Sequence, residues 1–117
     1  MTYIDGFVLP VRTARKDDYV AMSRKIWPMF REFGAQQIVE CWGDDVPKGK
    51  LTDFHMAVKA TEEETVVLSW IVWPSKQVRD AANEKMRSDP RMKMDEDMPF
   101  DPKRMIFGGF VPLLDVE

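Results

Sequence analysis

At 117 residues, with 44% hydrophobic and 32% charged side chains and a net charge of −3, the chain has the makeup of one ordinary globular domain, long enough to bury roughly 65% of its unfolded surface. Its acidic and basic residues are interspersed, so it lacks the basic stripe that gripping a phosphate backbone requires, which argues against nucleic acid as a partner. The longest mainly apolar run is about eight residues, against the ~20 of a membrane helix, the N-terminus MTYIDGFVLP is not leader-like, and Cys41 is the only cysteine. A single cytoplasmic domain over residues 1–117, without an internal disulfide or a membrane segment, is the expectation.

In chain order, Tyr3–Val11 reads as a strand, with Tyr3, Asp5, Phe7 and Leu9 on one face, and Gly6 marking a bulge or a close backbone approach. Thr13 is placed to cap a helix over Thr13–Phe33, along which Tyr19, Met22, Ile26, Met29, Phe30 and Phe33 form an apolar stripe. Pro28 removes one amide donor from that helix and is read as bending it without ending it. From Ala35 to Trp42 the period drops to two, giving a second strand that ends in the turn-rich Gly43–Gly49.

Alternation over Asp53–Ala60, with Phe54, Met56 and Val58 opposed to His55, Ala57 and Lys59, predicts a third strand. The acidic turn Thr61–Glu64 then leads into Val66–Trp73 (VVLSWIVW), a run apolar on both faces and hence the centre of the sheet. Ser75 caps a second helix over Ser75–Ser88, whose stripe is Val78, Ala81, Ala82 and Met86 and whose stop is Asp89-Pro90. Asp89–Lys103 is expected to be a long surface loop, and Met105–Leu113 the last strand. The fold class is therefore α+β: a ferredoxin-like split β-α-β pattern with an extra strand, both helices lying on one face of a mainly antiparallel sheet. Nothing in the chain remains to cover the other face. A second subunit is the economical cover, through an obligate interface burying well over roughly 2,000 Å2 in total.

The runs Ile38–Phe54 (IVECWGDDVPKGKLTDF), Val66–Arg79 with Asp80-Ala81-Ala82-Asn83, Asp89–Met92 and Met98–Phe110 (MPFDPKRMIFGGF) together resemble the bacterial YbaA-like family over almost the whole chain. That resemblance implies a dimeric α/β barrel of the ferredoxin-like type, two sheets packed face to face. It implies no defined activity, since the family is uncharacterised. The architecture is also similar, by fold analogy alone, to antibiotic-biosynthesis monooxygenases and their relatives.

Few residues carry chemistry. On Ala35–Trp42 alternation sends Val39 and Cys41 toward the helices and Ile38, Glu40 and Trp42 toward the barrel, with His55 on the barrel side or at its mouth. Trp42 as a stacking surface, Glu40 as acceptor or base and His55 as proton partner form the candidate ligand-binding and catalytic site, with Asp89–Lys103 over its entrance. The two titratable residues have plainer readings: an ion pair for Glu40, for example with Lys59 or Arg104, and a surface or interface histidine for His55. Asp44 and Asp45 read as turn residues rather than metal ligands, Cys41 as a small buried hydrophobe, and Met92, Met94 and Met98 as flexible packing rather than soft-metal ligands. With no GxGxxG, P-loop, GxSxG or HExxH, neither a cofactor nor a metal is expected. Two functions remain open: a homodimeric module that binds a small apolar or aromatic ligand or acts as an interaction domain, and a cofactor-independent monooxygenase or isomerase acting on a small aromatic substrate in the barrel.

Overall fold

The structure, a computed structural model, describes residues 2–93 and 97–116. Four strands, β1 (Tyr3–Arg12), β2 (Gln37–Trp42), β3 (Glu64–Trp73) and β4 (Ile106–Phe110), form one sheet in the order β2-β3-β1-β4. Every neighbouring pair is antiparallel. The helices are α1 (Lys16–Glu32), the short α2 (Phe54–Ala57) and α3 (Lys76–Arg87). The apolar run from Val66 does sit inside the sheet, paired with β1 along its whole length from Tyr3↔Trp73 to Arg12↔Glu64.

Side chains alternate across a strand, so this register assigns the faces. Tyr3, Asp5, Phe7, Leu9 and Val11 of β1 lie on the same side as Val67, Ser69, Ile71 and Trp73 of β3. Both long helices cover that side. Tyr3, Ile71 and Trp73 pack with Met29 of α1 and with Ala82 and Met86 of α3 in one core cluster, while Leu9, Val11 and Val67 pack with Tyr19 and Phe100 in another. Pro28 lies inside α1 and the helix continues through it.

Three expectations change. The extra strand over Asp53–Ala60 is absent: Asp53 caps α2, its carboxylate accepting from the Met56 amide at 2.6 Å and the Gly49 amide at 2.9 Å. Two capping bonds to one buried carboxylate outweigh a short alternation that has no neighbouring strand to pair with. Thr13 does not cap α1. It belongs to a single 3-10 turn before the helix, and its hydroxyl meets that of Thr65 at 2.7 Å. Nor is Asp89–Lys103 simply a surface loop, because Phe100 bridges to Val11 and buries its ring in the second core cluster, and Arg15 holds the segment through Asp97 and the Met98 carbonyl. This places residues 97–100 on the helix side, away from the mouth of any barrel formed by the bare face. Met92 and Met98 pack against the two core clusters, as expected of flexible apolar side chains. Met94 lies outside the described residues.

Candidate functional site: an uncovered apolar sheet face

The side of the sheet away from α1 and α3 carries Ile4, Gly6, Val8 and Pro10 from β1, and Val66, Leu68, Trp70 and Val72 from β3. Register adds Val39 and Cys41 from β2 and Ile106, Gly108 and Phe110 from β4. Within the strands only Gln37 on this face is polar, and charge appears only where Arg12 and Glu64 end their strands. Part of this surface is open to solvent, with Leu68 at 41%, Ile106 at 46% and Phe110 at 60% exposure. The Phe110 ring lies across Gly6 and Gly108, about 3.5 Å from where a Cβ on either would stand. That is the close approach that Gly6 signalled, reached without a bulge, since the pairing runs unbroken through Gly6 on both sides.

At the β2 edge the segment after Trp42 folds back over a corner of this face. There Cys41, Val46, Phe54, Val66 and Leu68 line a shallow apolar cleft of about 200 Å3, with Asp44 and Asp45 on its rim. Cys41 therefore belongs to the open face, where it is half-buried.

Of the three candidate residues, Glu40 and Trp42 share one face of β2, and His55 lies apart from them on α2. The pairing Ile38↔Ile71, Glu40↔Ser69 and Trp42↔Val67 puts Ile38, Glu40 and Trp42 under the helices and leaves Val39 and Cys41 on the open side, the reverse of the expected facing. Two interactions make that orientation favourable. Ile38 and Trp42 extend the two core clusters at the β2 edge, and α1 supplies hydroxyl donors for the carboxylate: Tyr19 at 2.8 Å and Ser23 at 2.6 Å, one to each Glu40 oxygen. Burial, reinforced by the neighbouring Glu40 charge, pushes the Tyr19 phenol far above its ordinary range, so Tyr19 remains a donor. The Lys16 ammonium stands 5.2 Å from the centre of the Trp42 ring. Glu40 thus pairs with hydroxyls and not with Lys59 or Arg104. Arg104 instead grips Glu64 through two 2.7 Å bonds.

His55 lies on α2, beside the cleft-lining Phe54. Its Nδ1 is buried without a hydrogen-bond partner, 4.0 Å from the Asp53 carboxylate, whose amide donors hold it below the usual carboxylate range. No hydrogen bond joins His55 to Glu40 or Trp42 among the described residues, and none of these residues contributes to a cluster of three or more His, Cys, Asp or Glu arranged to hold a metal.

A second polar site escaped the sequence reading. Asp5 is buried on the helix side, accepting from the Trp73 indole at 2.9 Å and from the Arg79 guanidinium, whose Nη2 is 3.0 Å from Oδ1. Arg79 also stacks on Tyr3, and a Cβ on Gly109 would collide with both side chains. The available signal was an aspartate on the apolar face of a buried strand, with an arginine early in the helix that packs on it.

The family described as protein of unknown function DUF1428 matches residues 2–102. The chain belongs to that family. It is 63% identical over 116 residues to the uncharacterized protein YbaA of Escherichia coli K12, covering 98% of this chain and 99% of that one, and equally similar to YbaA of Shigella flexneri. Among solved structures it is similar to a NIPSNAP domain protein from Burkholderia xenovorans, with a TM-score of 0.57 and 14% identity over 98% of both chains. At that identity the likeness shows the mixed α+β fold alone. Neither the family nor its YbaA members carries a defined reaction. Among the described residues of this DUF1428 chain, no helix is long and apolar enough to cross a membrane.

Proposed function

We propose that this DUF1428 protein works as a homodimer, its two sheets packed face to face, and that the apolar interior between them takes a small apolar or aromatic ligand. The observation that carries the reading is the sheet face itself, whose strand interiors present aliphatic and aromatic side chains and no charge. A domain that kept this face in water would leave Leu68, Trp70, Ile106 and Phe110 among its solvent contacts, and contiguous apolar patches of that kind mark interfaces. A second copy suits it because a twofold contact needs one self-complementary surface, which an uncharged face provides. Trp70 and Phe110 supply flat faces for an aromatic guest.

The catalytic alternative, a cofactor-independent monooxygenase or isomerase, loses the support that Glu40 was expected to give. Both oxygens of that carboxylate are engaged by α1, on the side of the sheet away from the interior.

The test is assembly measured together with ligand response. Wild-type protein is expected to sediment as a dimer, and Trp70→Glu, which puts a charge in the face, to sediment as a monomer with lower stability. An apolar aromatic probe should raise the melting temperature of the wild type and not that of Trp70→Glu. A dimer indifferent to Trp70→Glu would remove this face from the interface.

A further inference from the structure

After β4 the chain runs on through Val111–Val116, with Leu113 99%, Leu114 83% and Val116 74% exposed. Together with Phe110 just before it, this tail concentrates exposed large apolar side chains at one corner of the sheet. The corner is where β4 ends beside the start of β1, since Phe110 pairs with Ile4. The apolar cleft formed by Cys41, Val46, Phe54 and Leu68 lies diagonally across the same face, at the β2 edge and toward the far end of β1, since Val66 pairs with Pro10.

We propose that in the dimer each tail reaches the partner copy and seats Leu113 or Leu114 in the partner's cleft beside Cys41. The inference rests on the face-to-face dimer proposed above and adds which segment fills which site. A protruding apolar pair and an unfilled apolar cleft at diagonal corners define the symmetry. A twofold axis lying in the interface along the other diagonal sets each tail corner over the partner's cleft corner, so that one copy's contact is repeated in reverse by the other. The same axis crosses the strands of the two sheets near a right angle, one of the two standard ways that sheets pack.

The reach suffices. Face-packed sheets stand about 10 Å apart, and the four residues Val111–Leu114, extended at about 3.3 Å each, span roughly 13 Å. Asp115 follows immediately, and the cleft rim carries Asp44 and Asp45. Repulsion among these carboxylates keeps Asp115 out of the cleft and in solvent, and the uncharged leucines enter by their apolar surface.

The single cysteine makes the contact directly testable. Leu113→Cys and Leu114→Cys, each made in the otherwise native chain, are oxidised with glutathione disulfide and run on a non-reducing gel. A disulfide needs the two Cα atoms within about 7 Å. At least one variant is expected to form a covalent dimer, and to lose it when Cys41→Ser is added. In parallel, Leu113→Ser combined with Leu114→Ser is expected to weaken the dimer about tenfold or more in dissociation constant.

If the wild type sediments as a dimer but neither variant cross-links through Cys41, and the double serine variant dimerises normally, the tail contact is wrong while the sheet-face dimer stands. A disulfide within one chain, giving an oxidised monomer, also overturns it by returning the tail to its own cleft. A wild type that is monomeric throughout removes the dimer and the tail contact together.

Discussion

Asp5 places a carboxylate among the apolar side chains under the helices, and pairing with Arg79 and the Trp73 indole makes that placement tolerable. Removing one partner of such a pair leaves the other buried and uncompensated. Asp5→Ala is therefore expected to cost about 3 kcal/mol in chemical denaturation, while Asp5→Asn, which keeps an acceptor for the indole, should cost less. A neutral Asp5→Ala would mean that the network contributes nothing to stability. Glu64 makes a pH prediction. The Arg104 guanidinium, with help from the Thr61 amide, pulls its carboxyl down to about 2. The unfolded chain titrates near the ordinary glutamate value of about 4.3. Between these values the unfolded chain binds more protons, so this contribution is complete above the ordinary value and is lost as pH falls toward about 2. Glu64→Gln should flatten the dependence of unfolding free energy on pH across that window. An unchanged slope would show that the ion pair is not formed in solution.

At the scale of elements, the long segments were legible because composition and capping agree. The apolar run Val66–Trp73 had to be an inner strand, and Ser75 stands where the sequence places a cap, its hydroxyl accepting from the Val78 amide at 3.2 Å. Ser75→Ala is expected to lower stability by about 1 kcal/mol, measured by thermal unfolding, and Ser75→Asp to restore most of it. Equal stability of all three would show that the cap is idle. The short segments were not legible. Over Asp53–Ala60, three alternating pairs fit a strand, but a single capping aspartate turned the segment into α2. On β2 the alternation itself was right and its facing was reversed. Val39 with Cys41 looked like the smoother floor for the helices, yet nothing in the β2 sequence alone shows that Tyr19 and Ser23 on α1 would come to hold Glu40. Face assignment depends on contacts between distant segments, whereas period is written locally. For that reason the candidate site joined Glu40 and Trp42, on the helix side of β2, to His55, which lies on α2.

The whole molecule divides its surfaces by chemistry. The helix-covered side holds the buried pair of Asp5 with Arg79 and the more exposed pair of Glu40 with Tyr19, and the opposite side holds almost no polar groups. That contrast was visible in outline, since strands apolar on both faces outnumbered the helices available to cover them. The tail was not, because Met105–Leu113 read as one continuous strand, whereas pairing stops at Phe110 and leaves Leu113 in solvent. A sheet face charged only at its strand ends, beside an exposed apolar tail, makes sense when a second copy covers both. Sedimentation equilibrium of the wild-type chain at micromolar concentration tests this central claim most directly. A mass of twice 13.6 kDa is predicted, and a stable single-chain mass across that range would contradict it.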